Sequence, residues 1–163
     1  MLSPAYPLLL AAGLALPATV AAQPVPTLLE SYGRVTTLLS YMTAHVGEVM
    51  LACAEKNVLT EAQAETRYQA YRKRNALLLE RAESWKRAAE KKLQAQGEER
   101  AARLLAEEAG LNAMAVASMH AHGLIGKAGD AGAACAMRLA AIESGHYDLS
   151  SNAEFTGLLD ANP

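Results

Sequence analysis

The sequence predicts an all-α fold, arranged as an antiparallel up-down helical bundle of about four helices with a short C-terminal helix. Ala, Leu, Glu and Arg are abundant and favour helices, whereas the β-branched residues that favour strands are sparse. Apolar residues recur at intervals of three and four along most of the chain, which places them on one face of a helix. Because the connections between these segments are short, neighbouring helices are expected to be antiparallel.

The first 22 residues have the features of a secretory signal peptide. An uncharged apolar run covers residues 8–16, and the small residues Val20-Ala21-Ala22 precede Gln23. The run is shorter than the roughly 20 residues that cross a bilayer. We therefore expect cleavage after Ala22, a single domain over residues 23–163, and a periplasmic or secreted location. The alternative is a retained membrane anchor, since the first residues carry no Lys or Arg.

The first helix is predicted over residues 27–56. Its apolar residues are spaced alternately by four and three, a period of 3.5 that suits packing along neighbouring helices. They are Leu28, Tyr32, Val35, Leu39, Met42, Val46, Val49 and Cys53. Because Cys53 belongs to this series, its thiol is expected to face the interior.

A second helix is predicted from Thr60, which forms a capping box with Gln63, to about Gln96. Gly97 favours a break or a bend at that point. The alternative is a helix that continues through Gly97 to near Gly110. Since the second helix would be longer than the first, one of its ends is expected to project from the bundle and offer a docking face.

Two residues of the predicted second helix are expected to face the core. Asn75 occupies an inward position, where a buried polar group often fixes the register of packed helices. Trp85 is expected to be a core aromatic residue, the alternative being an anchor at an interface with another protein.

The composition changes beyond Gly110, where Ala, Gly and Met replace most of the charged residues. A third helical stripe covers residues 111–125. The closely spaced glycines in residues 126–132 predict a turn, because each one weakens a helix by up to about 1 kcal/mol relative to Ala. Near the end of the chain, Ser151 and Glu154 have capping-box spacing and predict the start of the short last helix.

A fourth helix is predicted after this turn, with Cys135 facing inward and Gly145 closing it. In an up-down bundle the first and fourth helices are antiparallel, so Cys53 and Cys135 are expected at the same end. Export would let them form a disulfide, which stabilises by about 4 kcal/mol in the loop-entropy model. The alternative is two buried free thiols. A redox-active pair is not expected, since the chain has no C-x-x-C motif.

The charge pattern and the motifs exclude several functions. The net charge is −2, so the chain lacks the basic footprint of a nucleic-acid-binding protein. Most charged residues lie between residues 55 and 108 with both signs mixed, which is typical of solvated helix faces. The sequence has neither a nucleophile elbow nor a glycine-rich phosphate loop. We therefore expect no enzyme activity.

A basic cluster beside two tyrosines is the candidate partner-binding site. Arg72 and Arg74 flank a lysine, and Tyr68 and Tyr71 lie one turn earlier. This pattern suits an acidic partner or an anionic lipid surface. The alternative is an ordinary solvated face, because acidic residues nearby dilute the charge.

The sequence Met119-His120-Ala121-His122 is the candidate metal site. Imidazole and thioether groups are ligands for copper, and the same residue types bind haem iron. However, residues two apart lie on different faces of a helix, so His120 and His122 could share one metal only if the helix ended there. We therefore expect no cofactor, and a copper- or haem-binding redox carrier is kept as the alternative function.

One family resemblance connects several of these residues. Cys53, Tyr71, Arg74-Asn75, Cys135 and the run from Gly145 to Leu149 resemble small exported helical proteins of Proteobacteria with two cysteines and no assigned activity. The resemblance implies a helical fold and a disulfide. It carries over no catalytic residue.

Taken with the absence of catalytic motifs, these features predict a non-catalytic accessory subunit or adaptor. It would bind a larger protein partner in the periplasm or at the membrane surface. Nucleic acid is not expected as a partner, and no transmembrane span is expected after signal cleavage.

Overall fold

A computed structural model describes residues 26–163, and within that range the chain is helical without strands. The elements are α1 (Leu28–Glu55), α2 (Glu61–Arg74), α3 (Ala76–Ala95), α4 (Glu99–Gly126), α5 (Ala131–Glu143), a 3₁₀ turn (Leu149–Ser151) and α6 (Ala153–Asp160). The all-α prediction is therefore confirmed. The predicted signal peptide and its cleavage point after Ala22 lie outside the described residues.

Helix α1 is the centre of the fold and packs against each of the other five α-helices. It begins at a capping box in which Thr27 and Glu30 satisfy each other's backbone N–H groups. Its most extensive partner is α4, which runs in the same direction. The side chain of Leu105 packs against Gly33 near the start of both helices, and His122 lies beside Glu55 near the end of both.

The predicted second helix is divided in two, which corrects the expectation of a single helix from residue 60 to residue 96. Its start at Thr60 is confirmed, with the capping box to Gln63. The break falls at Asn75, whose backbone leaves the helical range at φ −95° and ψ 7°. Its side chain donates to the Tyr71 carbonyl and to Asp148, an alternative to regular helical bonding. Neither resulting helix, of 14 and 20 residues, exceeds the 28 residues of α1, so the argument for a projecting end is lost.

The break at Gly97 is confirmed. Gly97 has φ +77°, a conformation that favours glycine, and the next helix begins two residues later at Glu99. Helix α4 therefore starts well before the predicted stripe at Leu111, and Gly110 lies in its interior. The sequence understated this helix because Ala-rich stretches give a weak periodic pattern.

Beyond the end of α4, the chain follows the predictions except at one cap. A turn separates α4 from α5, and Asp130 caps the start of α5 by accepting from the backbone N–H of Ala133. Gly145, with φ +83°, lies just beyond the end of α5. The cap of α6 is Asn152 and not Ser151, because Ser151 belongs to the preceding 3₁₀ turn.

Two apolar clusters form the core, one at each end of α1. The first surrounds Cys53 and Cys135, which are joined in a disulfide as predicted, with Cα atoms 5.8 Å apart. The second contains Trp85 and Phe155. The indole nitrogen of Trp85 donates to the Ala161 carbonyl at 2.8 Å, so this residue is a core aromatic as expected.

Candidate functional site

The predicted partner-binding residues meet the C-terminal part of the chain at a polar network. Both Nε and Nη2 of Arg74 donate to the carboxylate of Asp148 at 2.7–2.9 Å, and Nη2 also donates to the Ile142 carbonyl. Asn75 donates to the same carboxylate and accepts from the backbone N–H of Leu149 at 2.8 Å. This network ties the junction of α2 and α3 to the segment after α5.

The ionisation of Asp148 reflects its partners. Burial alone would raise the pKa of Asp148, because it disfavours the charged form. Hydrogen bonds from Arg74 and Asn75, together with the Arg74 charge, outweigh burial and hold the pKa below its usual range. The carboxylate is therefore charged at neutral pH and available to both donors.

The four residues of the predicted partner site have different environments. Tyr71 is buried, and its hydroxyl has no hydrogen-bond partner among the described residues. Tyr68 is partly buried and stacks on Tyr71, while Arg74 is held by Asp148. Arg72 and Arg74 are both exposed on the surface of α2, but the Arg74 guanidinium is fixed against Asp148. Most of this cluster therefore serves internal contacts, and it does not form one open surface.

A larger uncharged surface lies on α4. No Asp, Glu, Lys or Arg occurs between Glu108 and Lys127, a stretch of about 27 Å at 1.5 Å per residue. The α4 apolar surface consists of the exposed residues Leu111, Met114, Val116, Met119 and Leu124. Large exposed apolar residues grouped in this way are typical of interaction sites.

The opposite face of α4 explains why its large residues stay exposed. The buried positions follow at intervals of four and are mostly alanines, namely Ala113, Ala117, Ala121 and Ile125. Small side chains allow α1 and α4 to approach closely, so the larger residues are left on the solvent side. The apolar stripe predicted over residues 111–125 includes Leu111 and Met114, which places both on the buried face, but the structure shows both exposed. The run of small residues at intervals of four was the signal that identified the buried face.

A second feature is a cleft between α1, the end of α4 and the loop after α5. Five residues define this tyrosine–histidine cleft: Tyr41, His45, His120, Lys127 and Tyr147. Its volume is about 510 Å³, within the range of small-molecule sites. The ring of His45 stacks on Tyr41, with centroids 5.6 Å apart, and lies 5.5 Å from the ring of Tyr147.

Polar contacts fix the side chains around the cleft. The Tyr41 hydroxyl lies 3.0 Å from Nδ1 of His120, and Arg138 donates to the Tyr147 hydroxyl at 2.9 Å. His45 is 5% exposed, and its Nδ1 has no hydrogen-bond partner among the described residues. Burial lowers the pKa of His45, a hydrogen bond that its ring donates to the Ala117 backbone raises it, and Coulombic interactions with His120 and Arg138 lower it further, so the pKa lies below its usual value. The imidazole is therefore neutral at neutral pH.

The candidate metal residues do not converge. His120 faces Tyr41 and the cleft, whereas His122 faces Glu48 and Glu55 at 3.3 and 3.5 Å. Met119 lines the cleft beside His120 and is 66% exposed. Within residues 26–163, no group of three or more His, Cys, Asp or Glu side chains is close enough to hold a metal ion.

Together, these features define a disulfide-linked all-α fold with an uncharged stretch over residues 109–126 of α4 and a small cleft. Comparison with known protein families, curated proteins and solved structures finds no match. No helix within the described part of the chain combines the length and hydropathy needed to cross a membrane.

Proposed function

We propose that the protein is a non-catalytic accessory or adaptor subunit that binds a larger protein through the α4 apolar surface. The observation that carries this proposal is the absence of charge from residue 109 to residue 126, where the large apolar residues are exposed. The exposed Leu77 of α3, by contrast, has the charged residues Arg74, Glu80 and Arg81 within four positions in the sequence.

The form of this surface favours a helical partner. It follows one helix for about 27 Å, a length that matches the apolar face of an amphipathic helix. Two of its members, Met114 and Met119, have flexible side chains that adapt to an opposing surface. The proposed occupant is therefore an amphipathic helix of a larger exported or membrane-anchored protein.

The proposed setting is the periplasm, or the outside of the cell, after removal of residues 1–22. The disulfide between Cys53 and Cys135 supports an oxidising compartment. Mass spectrometry of the protein from a periplasmic fraction tests this. A chain that begins at Gln23 and carries the disulfide agrees with the proposal, whereas an intact leader or two free thiols contradicts it.

For the arrangement of the helices we propose the up-down bundle, with α2 and α3 together as one bent member. Two contacts support an antiparallel α3 and an antiparallel α5. The hydroxyl of Tyr32, near the start of α1, donates to Glu90, near the end of α3, and Cys53 near the end of α1 is bonded to Cys135 near the start of α5. Four long-range spin-label distances between helix ends would test this arrangement.

Charge substitutions on α4 test the binding function. The double variant Leu111→Glu and Met114→Glu introduces two charges on the α4 apolar surface outside the cleft. Its control is Leu77→Glu, on α3, where the native side chain is 83% exposed. The expected result is a stoichiometric complex with one native partner for wild type and the control, and at least a tenfold loss of affinity for the double variant. Equal binding by all three proteins, or a strict monomer that forms no complex, contradicts the proposal.

The second candidate function is a copper or haem redox carrier. One feature favours this function, because Met119 and His120 line the same cleft as His45. Metal analysis and an absorbance spectrum of protein purified from its own periplasm decide between the two functions. Stoichiometric copper, or a haem spectrum, favours the carrier, and His120→Ala would then abolish the bound metal while His122→Ala would not.

A further inference from the structure

We propose that the tyrosine–histidine cleft binds a small planar aromatic carboxylate, with its ring against Tyr41 and its carboxylate facing Lys127 and His120. The cleft shares Met119 and Leu124 with the α4 apolar surface, whereas Leu111 and Met114 lie outside it, so substitutions at Leu111 and Met114 test partner binding separately from ligand binding. Four properties of the cleft carry the inference: its size, its stacked rings, its positive charge and its unsatisfied histidine.

The size and the rings select a planar group. The cleft volume of about 510 Å³ accommodates a molecule of one or two rings. Tyr41 and His45 are stacked with an angle of 17° between their planes, and the ring of Tyr147 lies 5.5 Å from the ring of His45. Aromatic rings favour offset stacking at such distances, so a planar ligand would continue the stack that the protein begins.

The charges select an anion. Lys127 and His120 line the cleft, and no Asp or Glu does. Arg138 lies behind it and donates to the Tyr147 hydroxyl. Because the charges of Lys127 and of the bound Arg138 are not matched by a carboxylate in the lining, an anionic ligand would gain more there than a neutral one.

Internal packing does not explain the environment of the His45 ring nitrogen Nδ1. Its side chain is 5% exposed, lines the cleft, and leaves Nδ1 without a partner among the described residues. A buried polar atom without a partner is destabilising, and such atoms are often paired with a bound ligand or an ordered water. A polar ligand bound in the cleft beside His45 would be close to this ring.

Benzoate and the neutral benzamide, titrated into the full mature protein, test the proposal by proton NMR. The chain has four histidines, of which His45, His120 and His146 surround the cleft region and His122 does not. The expected result is saturable shifts of the His45 and His120 ring protons with benzoate, with His122 unmoved. Benzamide is expected to bind more weakly.

A charge variant separates specific binding from a general effect. Lys127→Gln removes the exposed cation at the cleft and should weaken benzoate binding about fivefold, the effect of one solvent-accessible charge contact. It should leave benzamide binding unchanged. Lys73→Gln on α2 is the matched control and should bind benzoate like wild type.

Three results would overturn the proposal. The first is the absence of saturable shifts at His45 and His120. The second is a shift of His122 as large as theirs, which indicates non-specific association. The third is equal affinity of wild type and Lys127→Gln for benzoate, which would mean that the negative charge of the ligand does not contribute to binding. None of these results bears on the α4 apolar surface.

Discussion

Replacing Asn75 with Ala tests the polar network that joins the two halves of the chain. Asn75 is 4% exposed and makes three hydrogen bonds at 2.8–3.1 Å, to the Tyr71 carbonyl, the Asp148 carboxylate and the Leu149 N–H. The variant leaves the buried Leu149 N–H without its partner and removes a donor from Asp148. It also removes the residue at which α2 and α3 separate.

The size of the effect follows from these contacts. An orphaned buried N–H costs about 1–3 kcal/mol, and a hydrogen bond to a charged group contributes about 1.5–3 kcal/mol. The better helix propensity of Ala returns at most about 0.7 kcal/mol. We expect Asn75→Ala to lower the free energy of unfolding by about 3 kcal/mol.

Urea denaturation with the disulfide intact measures this change, and Asn112→Ala is the matched control. Asn112 is exposed on α4, so its replacement should alter stability by less than about 0.5 kcal/mol. A loss below about 1 kcal/mol for Asn75→Ala would refute the assignment of Asn75 as a required part of the network, because its three hydrogen bonds would then contribute little to the free energy of unfolding.

The same network predicts a pH dependence. The pKa of Asp148 is lowered in the folded protein, so the folded state binds fewer protons than the unfolded chain near pH 4. Its contribution is therefore complete above the unfolded pKa of about 3.9 and is lost as the pH falls through the lower native pKa. Wild type should be more stable than Asp148→Asn at pH 7, and the difference should shrink towards pH 2. A difference that grows on acidification would contradict the assignment.

Two further perturbations address the covalent link and the backbone. Reduction of the bond between Cys53 and Cys135, which are 82 residues apart, should lower the free energy of unfolding by about 4 kcal/mol in the loop-entropy model. Urea denaturation with and without reductant measures this change, and a loss below about 1 kcal/mol would contradict the expectation. Gly97→Ala should destabilise the protein by about 1–2 kcal/mol because residue 97 has a positive φ. Gly110→Ala, inside α4, should stabilise it by about 0.5–1 kcal/mol. Thermal denaturation in which both variants shift the melting temperature in the same direction would refute this contrast.

Local signals in the sequence predicted much of the fold. The capping box at Thr60, the glycines at 97 and 145, and the inward position of Cys53 each depend on a few neighbouring residues. Such signals act through backbone hydrogen bonds and φ angles, which a short stretch of sequence largely determines. For the same reason the number of helical segments was nearly correct.

Features that depend on distant contacts were not predictable in the same way. The break at Asn75 requires Asp148 and Leu149, which are more than 70 residues away in sequence. The exposure of Leu111 depends on α1 packing against the alanine face of α4, which single-helix periodicity does not reveal. The cleft, too, combines residues from three separate segments. The local sequence pattern therefore indicated His120 but not the tyrosines beside it.

A site-specific cross-linking experiment tests the central claim most directly. A photoreactive residue is placed at Leu111 on the α4 apolar surface or, as the control, at Leu77 on α3, in the full chain expressed in its own cells. The account predicts one discrete adduct with a larger exported or membrane-anchored protein from position 111 and none from position 77. Adducts of equal yield from both positions, or only a dimer of this chain, would contradict the proposal that α4 binds a partner.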